Sequence, residues 1–318
     1  MLHLTGRDVE AVLDIPSCAD AVAEALRGLA RGDWQQPLRG KFKPAEGVAG
    51  IGMMAAYRGG DRPLFGMKSI VVNPANAARG LDTHQGVVLL HDGIDGRVLA
   101  VIDAALLTAI RTAAVSLVAT RALARPECEV VAILGTGAQA RAHVRAMRHL
   151  FPRAEIRIWG RTPARAAALA EAMGAVACAT PATATSGAEI ICTVTGARTP
   201  LLDAKLVSPG AHINAVGASA LDAREIAGDL VARASRFIDS PAQGALECGE
   251  FHLAIADGIL DANHEASELG GVLLGRAPGR RAASEITLFK SLGLAVEDLA
   301  AADLAMCVAR HRGIGIDL

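Results

Sequence analysis

Apolar residues recur at helical spacing at both ends of the chain and in short runs between them. Near the start, VEAVL and AVAEALRGLA repeat apolar positions three and four residues apart, which predicts one-sided helices. Each follows a capping-box spacing, Thr5 with Asp8 and Ser17 with Asp20, in which a hydroxyl and an acid serve the first turn. From about residue 36 to 103 the pattern changes to GIGMMAAY, LFGMKSIVV, GVVLLHD and RVLAVID, separated by Gly, Asn and Pro. These runs predict strands, with Asp92-Gly93 and Asp95-Gly96 supplying a turn. AALLTAIRTAAVSLVATRALA is apolar on nearly every face, so it predicts a helix buried between two layers and a hinge between domains. From residue 129 the apolar runs EVVAIL, IRIWG, AVACA, AEIICTVT, AHINAVG and RFIDS alternate with helical stretches such as ARAHVRAMRHL and PARAAALAEAM. That alternation predicts an α/β fold with a doubly wound parallel sheet. The final LGLAVEDLAAADLAMCVARHR is helical again and is expected to return to the first domain. No internal repeat or low-complexity tract interrupts the pattern.

Composition narrows the function classes. At 318 residues the chain is long enough for two cores, and 52% hydrophobic residues supply both. A formal charge of -1 with 3% aromatic residues argues against nucleic-acid partners, which need basic surfaces and stacking rings. Six scattered cysteines (Cys18, Cys128, Cys178, Cys192, Cys248, Cys307) form no metal-ligand or C-x-x-C spacing and read as free thiols, so no metal site is expected. MLHLTGRDVE lacks a basic segment followed by an apolar run, so no leader is expected, and no run approaches the roughly 20 uninterrupted apolar residues of a membrane span. A cytoplasmic protein without a membrane partner is therefore expected.

The first candidate chemistry is EVVAILGTGAQARAH, where Gly135, Gly137 and Ala140 fit G-x-G-x-x-G/A between a strand and a helix. In a Rossmann unit the first glycine makes the turn, the second lets backbone approach a pyrophosphate, and the small third residue packs helix on sheet. The helix start, Ala138 and Gln139, offers free N–H groups to phosphates. A turn that merely links strand to helix is the alternative. After the second strand, IRIWGRT carries Arg161 and Thr162 rather than the acid that holds an unphosphorylated ribose. NADP(H) is therefore the expected cofactor, with NAD(H) as the alternative and a solvated surface role the other reading of Arg161.

Cations in the first half form a second group. Lys68 lies in LFGMKSIVV, apolar on both alternating faces, and Arg111 lies in an apolar helix with no acid at helical spacing. Two buried cations without local anions suggest an anionic ligand such as a small carboxylate, with Arg39 in QPLRGKF as a third donor. Internal pairing with Asp82, Asp92 or Asp103 is the alternative, and Arg39 also reads as an exposed loop residue. His84, in LDTHQG, is the titratable group suited to donate a proton near neutral pH.

Together these residues resemble the ornithine cyclodeaminase and mu-crystallin family over almost the whole chain. MMAAY resembles M-P-A-Y with Ala55 at the proline position, LTAIRTAAVS resembles L-T-A-x-R-T-A-A-x-S, and PGAHINAVGA resembles P-G-x-H-I-N-A-V-G-A. GTGAQA matches the dinucleotide turn and TLFKSLGLAVED the C-terminal signature. The resemblance implies a homodimer with a Rossmann domain at 113–292 and a mixed α+β substrate-binding and dimerisation domain at 1–112 with 293–318. It also implies that Arg39, Lys68 and Arg111 hold a substrate carboxylate beside Gly293. Thr83, Arg111, Thr193, Val216, Ser219 and Ser291 are expected around the cofactor. Ornithine cyclodeaminases carry an aspartate where this chain has Ser219, and a hydroxyl is a poor general base. GASALDAREI resembles instead the ketimine-reductase branch, and Asp222 is not read as a replacement. The expected activity is NAD(P)H-dependent reduction of a small cyclic 2-imino acid, with Lys68, Arg111 and His84 as candidate catalytic residues. Alternatives are an amino-acid dehydrogenase or acyclic imino-acid reductase working on alanine or iminosuccinate, then ornithine cyclodeaminase, then a non-catalytic binding protein.

Overall fold

In the computed structural model, which describes residues 1–47 and 49–318, Thr5 caps the first helix as its spacing predicts. Its hydroxyl accepts from Asp8 N while Asp8 Oδ2 accepts from Thr5 N at 2.9 Å. The second box is corrected: Ser17 lies inside the helix Ile15–Arg31, and Asp14 is its N-cap, accepting from Ser17 N at 2.8 Å. Pro16 favours that start, because in a first turn its missing N–H removes no hydrogen bond.

The chain divides into two compact units, Met1–Ala114 with Gly293–Leu318 and Val115–Leu292. In the first, four long strands form an antiparallel meander in the order Val98–Asp103, His84–Asp92, Leu64–Val72, Gly50–Arg58. Leu2–Leu4 and Ile316–Asp317 extend one edge, and Trp34–Gln35 and Gly40–Phe42 pair at the other. The expected turn forms, with Gly96 at φ +77° and its N–H on Asp92 O. One sheet face is buried beneath the helix Ala295–Arg312 through Met54, Ala56, Leu64, Val88 and Leu90. The other face is apolar and open: Phe42 is 61% exposed, and Met53, Phe65, Val71 and Val87 share its side.

In the second unit eight strands run parallel. Their order is Val176–Ala177, Glu155–Trp159, Val130–Leu134, Ile190–Thr193, His212–Ala215, Thr287–Lys290, Ser235–Ile238, Ser267–Glu268. The first five are the expected doubly wound arrangement. Central strands buried on both faces favour apolar runs, as IICT shows, whereas HINA buries His212 and Asn214 by pairing them with Thr287 and Thr120. Thr287–Lys290 is a strand the sequence reading does not anticipate, because the polar but buried Thr287 and Lys290 cut its apolar run to two residues. Among the described residues, one helix, Ala104–Leu123, is long and apolar enough to cross a membrane, yet 78% of its apolar window is buried within the fold. The six cysteines are free thiols, as expected.

Two histidines are buried in this unit. His143 contacts Ser116 Oγ at 2.9 Å and Gln139 O at 2.8 Å, and His212 contacts Thr287 Oγ1 at 2.9 Å. Burial pulls His143 down to about 4, and burial with Arg280 pulls His212 down to about 3, from an ordinary 6.5. Below pH 6.5 the unfolded chain therefore binds protons that the fold refuses, so stability falls with pH from there to about 4, and to about 3 for His212. Each histidine should remove about 1.4 kcal/mol per pH unit in its window. Urea titrations across that range measure the slope, and a flat stability curve would contradict neutral burial.

Candidate functional site

Lys68 stands on Leu64–Val72 between Met54 and Val88, both buried and apolar, which explains its desolvation. Its anion is Asp298, with Nζ to Oδ2 at 2.7 Å. Arg111 Nε donates to Asp298 Oδ1 at 2.9 Å, and its Nη1 donates to Glu297 Oε2 at 3.0 Å. The reading of Lys68 and Arg111 as cations lacking internal anions is thus corrected, and Asp82, Asp92 and Asp103 are not the partners. Glu297 and Asp298 open the helix Ala295–Arg312, where the positive helix end favours carboxylates. They lie far from both cations in sequence; an acid pair within the buried run Leu294–Ala302 was the available signal.

Arg39 joins this group. Gln36 Oε1 accepts from Val296 N at 3.0 Å, tying the QPLR segment to the helix start, and Arg39 Nη2 donates to Gly293 O at 2.8 Å. Gly293 has φ +77°, and a Cβ there would sit 2.7 Å from Arg111 Nη1, so only glycine fits against the guanidinium. Lys68 and Arg111 thus meet Glu297 and Asp298, and Arg39 joins them through Gly293 O. Burial pulls Lys68 down to about 8, against the attraction of Asp298. Burial alone would raise the Asp298 carboxyl, but Lys68 and Arg111 outweigh it and hold it below the ordinary range. His84, half exposed, lies on the same sheet face with Nδ1 3.0 Å from Thr83 Oγ1. Partial desolvation lowers its pKa; Asp82 opposes this, and Lys68 and Arg111 add to it.

The other predicted residues belong to the second unit. Gly135 joins Val130–Leu134 to the helix Ala138–Leu150 at φ +142°, where a Cβ would meet Val194 O at 2.6 Å. Gly137 is the helix N-cap, and a Cβ added there would meet nothing within 4 Å, while Ala140 is fully buried. The first turn holds no acid and no side-chain cap, so its N–H groups and the open side of Gly137 fit a pyrophosphate. Gln139 adds a buried Oε1 with no hydrogen-bond partner among the described residues. Arg161 is exposed, and Thr162 caps Pro163–Met173 without using its hydroxyl. Ser291 is buried, Val216 half-buried and Ser219 exposed. Thr193 is buried, its hydroxyl donating to Glu225 Oε2 at 2.8 Å and its carbonyl accepting from Val216 N and Gly217 N.

Glu225 is the residue sequence reasoning missed. Fully buried, it accepts from Thr193 Oγ1, Thr195 N, Thr195 Oγ1 and Gly217 N at 2.6–2.8 Å. It thereby fixes the loops leaving Ile190–Thr193 and His212–Ala215, at the strand ends where doubly wound sheets bind ligands. Lys290, buried against Glu250 at 3.1 Å, donates to Ala218 O in the second of these loops. Nothing local in GASALDAREI distinguishes Glu225 from a surface acid.

The doubly wound sheet with its glycine turn, together with a charged cluster in a mixed unit built from both chain ends, defines a dinucleotide-binding protein of the Rossmann class. The chain belongs to the ornithine cyclodeaminase/mu-crystallin family, whose model matches residues 2–309. It is 38% identical over 292 residues to the ketimine reductase mu-crystallin of Mus musculus, covering 91% of this chain and 90% of that one. Its structure resembles that of Thermococcus litoralis Delta(1)-pyrroline-2-carboxylate reductase in complex with NADH and L-proline, with TM-score 0.94, 30% identity and full coverage of both chains. An archaeal alanine dehydrogenase dimer with bound NAD superimposes with TM-score 0.92 and 29% identity over 100% of this chain and 98% of the other.

Proposed function

We propose that this protein is an NAD(P)H-dependent imine reductase acting on a small cyclic 2-imino acid, such as Δ1-pyrroline-2-carboxylate or Δ1-piperideine-2-carboxylate, to give the L-amino acid. The observation that carries the reading is the convergence of Lys68 and Arg111 on the buried Asp298, with Arg39 on the adjacent Gly293 O, three cationic side chains suited to hold a carboxylate. A guanidinium held by two acids is pre-oriented, so carboxylate binding places the imine with little further ordering. The reduced nicotinamide, when bound, supplies the hydride. Lys68, with a pKa near 8, holds or delivers the proton of the imine nitrogen, and His84 is the second donor. Relatives reducing a pyrroline carboxylate support the cyclic substrate; the likeness to an alanine dehydrogenase keeps the ammonia-dependent acyclic reaction as the second reading. Arg161 and the uncommitted Thr162 hydroxyl support NADPH over NADH. The open apolar sheet face around Phe42, Met53, Phe65 and Val87 supports a homodimer.

Following nicotinamide absorbance with cyclic imines and with 2-oxo acids, each with and without ammonium, tests this reading. Reduction of a cyclic imine without ammonium is expected, with higher kcat/KM for NADPH than NADH; turnover only of oxo acids with ammonium would replace it by the dehydrogenase. Because Lys68 is charged below about pH 8, reduction should decline above that pH and amino-acid oxidation should rise. The same break is expected for two imines of different basicity. A break that moves with the substrate, or that vanishes in His84→Ala, removes Lys68 from proton transfer.

A further inference from the structure

The fully buried carboxylate of Glu225 is divided evenly between two loops. Its Oε1 accepts from Thr195 N at 2.7 Å and Thr195 Oγ1 at 2.6 Å, and its Oε2 accepts from Gly217 N at 2.7 Å and Thr193 Oγ1 at 2.8 Å. Each oxygen thus meets one backbone N–H, a group that can only donate. A protonated acid or an amide would turn a donor of its own toward one of them, so the arrangement suits the ionised carboxylate alone. Burial raises this carboxyl above its ordinary value, and the Thr195 donors and Lys290 oppose the rise. The fit is close: a Cβ on Gly217 would lie 2.1 Å from Thr195 O and 2.6 Å from Glu225 Oε1, so only glycine lets the loops meet around the acid. Glu225 N donates in turn to Glu250 Oε1 at 3.2 Å, while Lys290 pairs with Glu250 Oε2 and donates to Ala218 O.

These loops lie where the chain reverses across the sheet. From Val130–Leu134 it adds Glu155–Trp159 and Val176–Ala177 on one side, then returns to add Ile190–Thr193 and His212–Ala215 on the other. Doubly wound sheets bind dinucleotides across the strand ends at such a reversal. Gly137 and Gly196 stand on its two sides, and both face open space, since a Cβ on either would meet nothing within 4 Å. Val194 joins the sides: its N–H donates to Leu134 O at 2.9 Å, and its carbonyl lies 2.6 Å from the place of a Gly135 Cβ. With pyrophosphate at Gly137 and the adenosine end toward Arg161 and Thr162, the nicotinamide end of a dinucleotide extends over the opposite strand ends, which carry the Thr195 and Gly217 loops.

We propose that Glu225 is a positioning residue for the nicotinamide end of the dinucleotide: its carboxylate ties the Thr195 and Gly217 loops together beforehand, so that binding does not have to order them. This rests on the dinucleotide reading of the glycine turn. The test compares wild type, Glu225→Gln and Thr195→Val by calorimetric titration with NADPH and NADH, and with 2′,5′-ADP and ADP, which lack the nicotinamide end. Hydrogen exchange of residues 193–197 and 215–219 is followed without nucleotide. In Glu225→Gln one N–H loses its acceptor, so about tenfold weaker dinucleotide binding is expected, with the fragments within about twofold of wild type and faster exchange confined to the two segments. Thr195→Val keeps both N–H partners and loses one hydroxyl; it should fall between, and it carries the test if Glu225→Gln does not fold. Phe237→Leu, a core change in the same unit, should lower the melting temperature at unchanged dinucleotide affinity. Unchanged dinucleotide affinity in the folded variants, or equal weakening of dinucleotide and fragment, overturns the positioning role. Wild type that binds neither dinucleotide overturns it together with the cofactor reading. The expected binding pattern without turnover of any cyclic imine upholds Glu225 and sinks the reductase reading alone.

Discussion

Arg111→Met should lower kcat/KM by roughly 10²–10³-fold and destabilise the fold by about 3–5 kcal/mol. The two effects have one origin. The guanidinium bridges Glu297 and Asp298, and removing it strips a cation from two buried carboxylates and, on the proposed function, deprives the substrate carboxylate of a planar partner. Arg111→Lys separates them. It keeps the charge but loses the fork that serves Nε and Nη1 acceptors together, so much of the stability should return while activity stays low. Urea denaturation and steady-state kinetics on both variants are decisive. Full activity in Arg111→Lys would show that the charge alone matters and would remove bidentate orientation from the mechanism.

Gly137→Val should weaken dinucleotide binding roughly a hundredfold, about 2.8 kcal/mol, while leaving the melting temperature within a degree or two of wild type. A side chain at that N-cap projects into open space, so the fold has no objection, but it would stand where phosphate must approach the helix N–H groups. Gly135→Ala should behave oppositely. Its φ of +142° and the 2.6 Å approach to Val194 O make glycine a requirement of the turn, so that variant loses stability first. Fluorescence titration with NADPH and thermal melts distinguish the two positions. Unaltered NADPH affinity in Gly137→Val would reduce the motif to a plain strand-to-helix connection.

Much of this arrangement is legible along the chain because its signals are local. Thr5 and Asp8 sit three residues apart, the four meander strands alternate or run apolar, and GTGAQA joins strand to helix within six residues. Local signals also compete, as at Asp14 and Ser17, both competent caps, where Pro16 decides. What stays hidden depends on residues that meet only through the fold. Lys68 and Arg111 announce a need for anions, but the identity of those anions is decided by the return of the last helix, which the periodicity reveals as a helix without revealing which strand row its first turn covers. Glu225 is less visible still: its worth lies in four donors from two separate loops, none within reach of a sequence window.

The first unit is discontinuous, and the charges at its centre come from both of its segments. During synthesis on the ribosome, Lys68 and Arg111 emerge long before Glu297 and Asp298, whereas Val115–Leu292 is contiguous and free to collapse as soon as it is complete. The sheet that carries Lys68 must wait, its cations still hydrated and its aliphatic face without the closing helix, until Ala295–Arg312 has been made. Vectorial growth thus orders maturation: the contiguous unit Val115–Leu292 first, the buried charge cluster around Lys68 last.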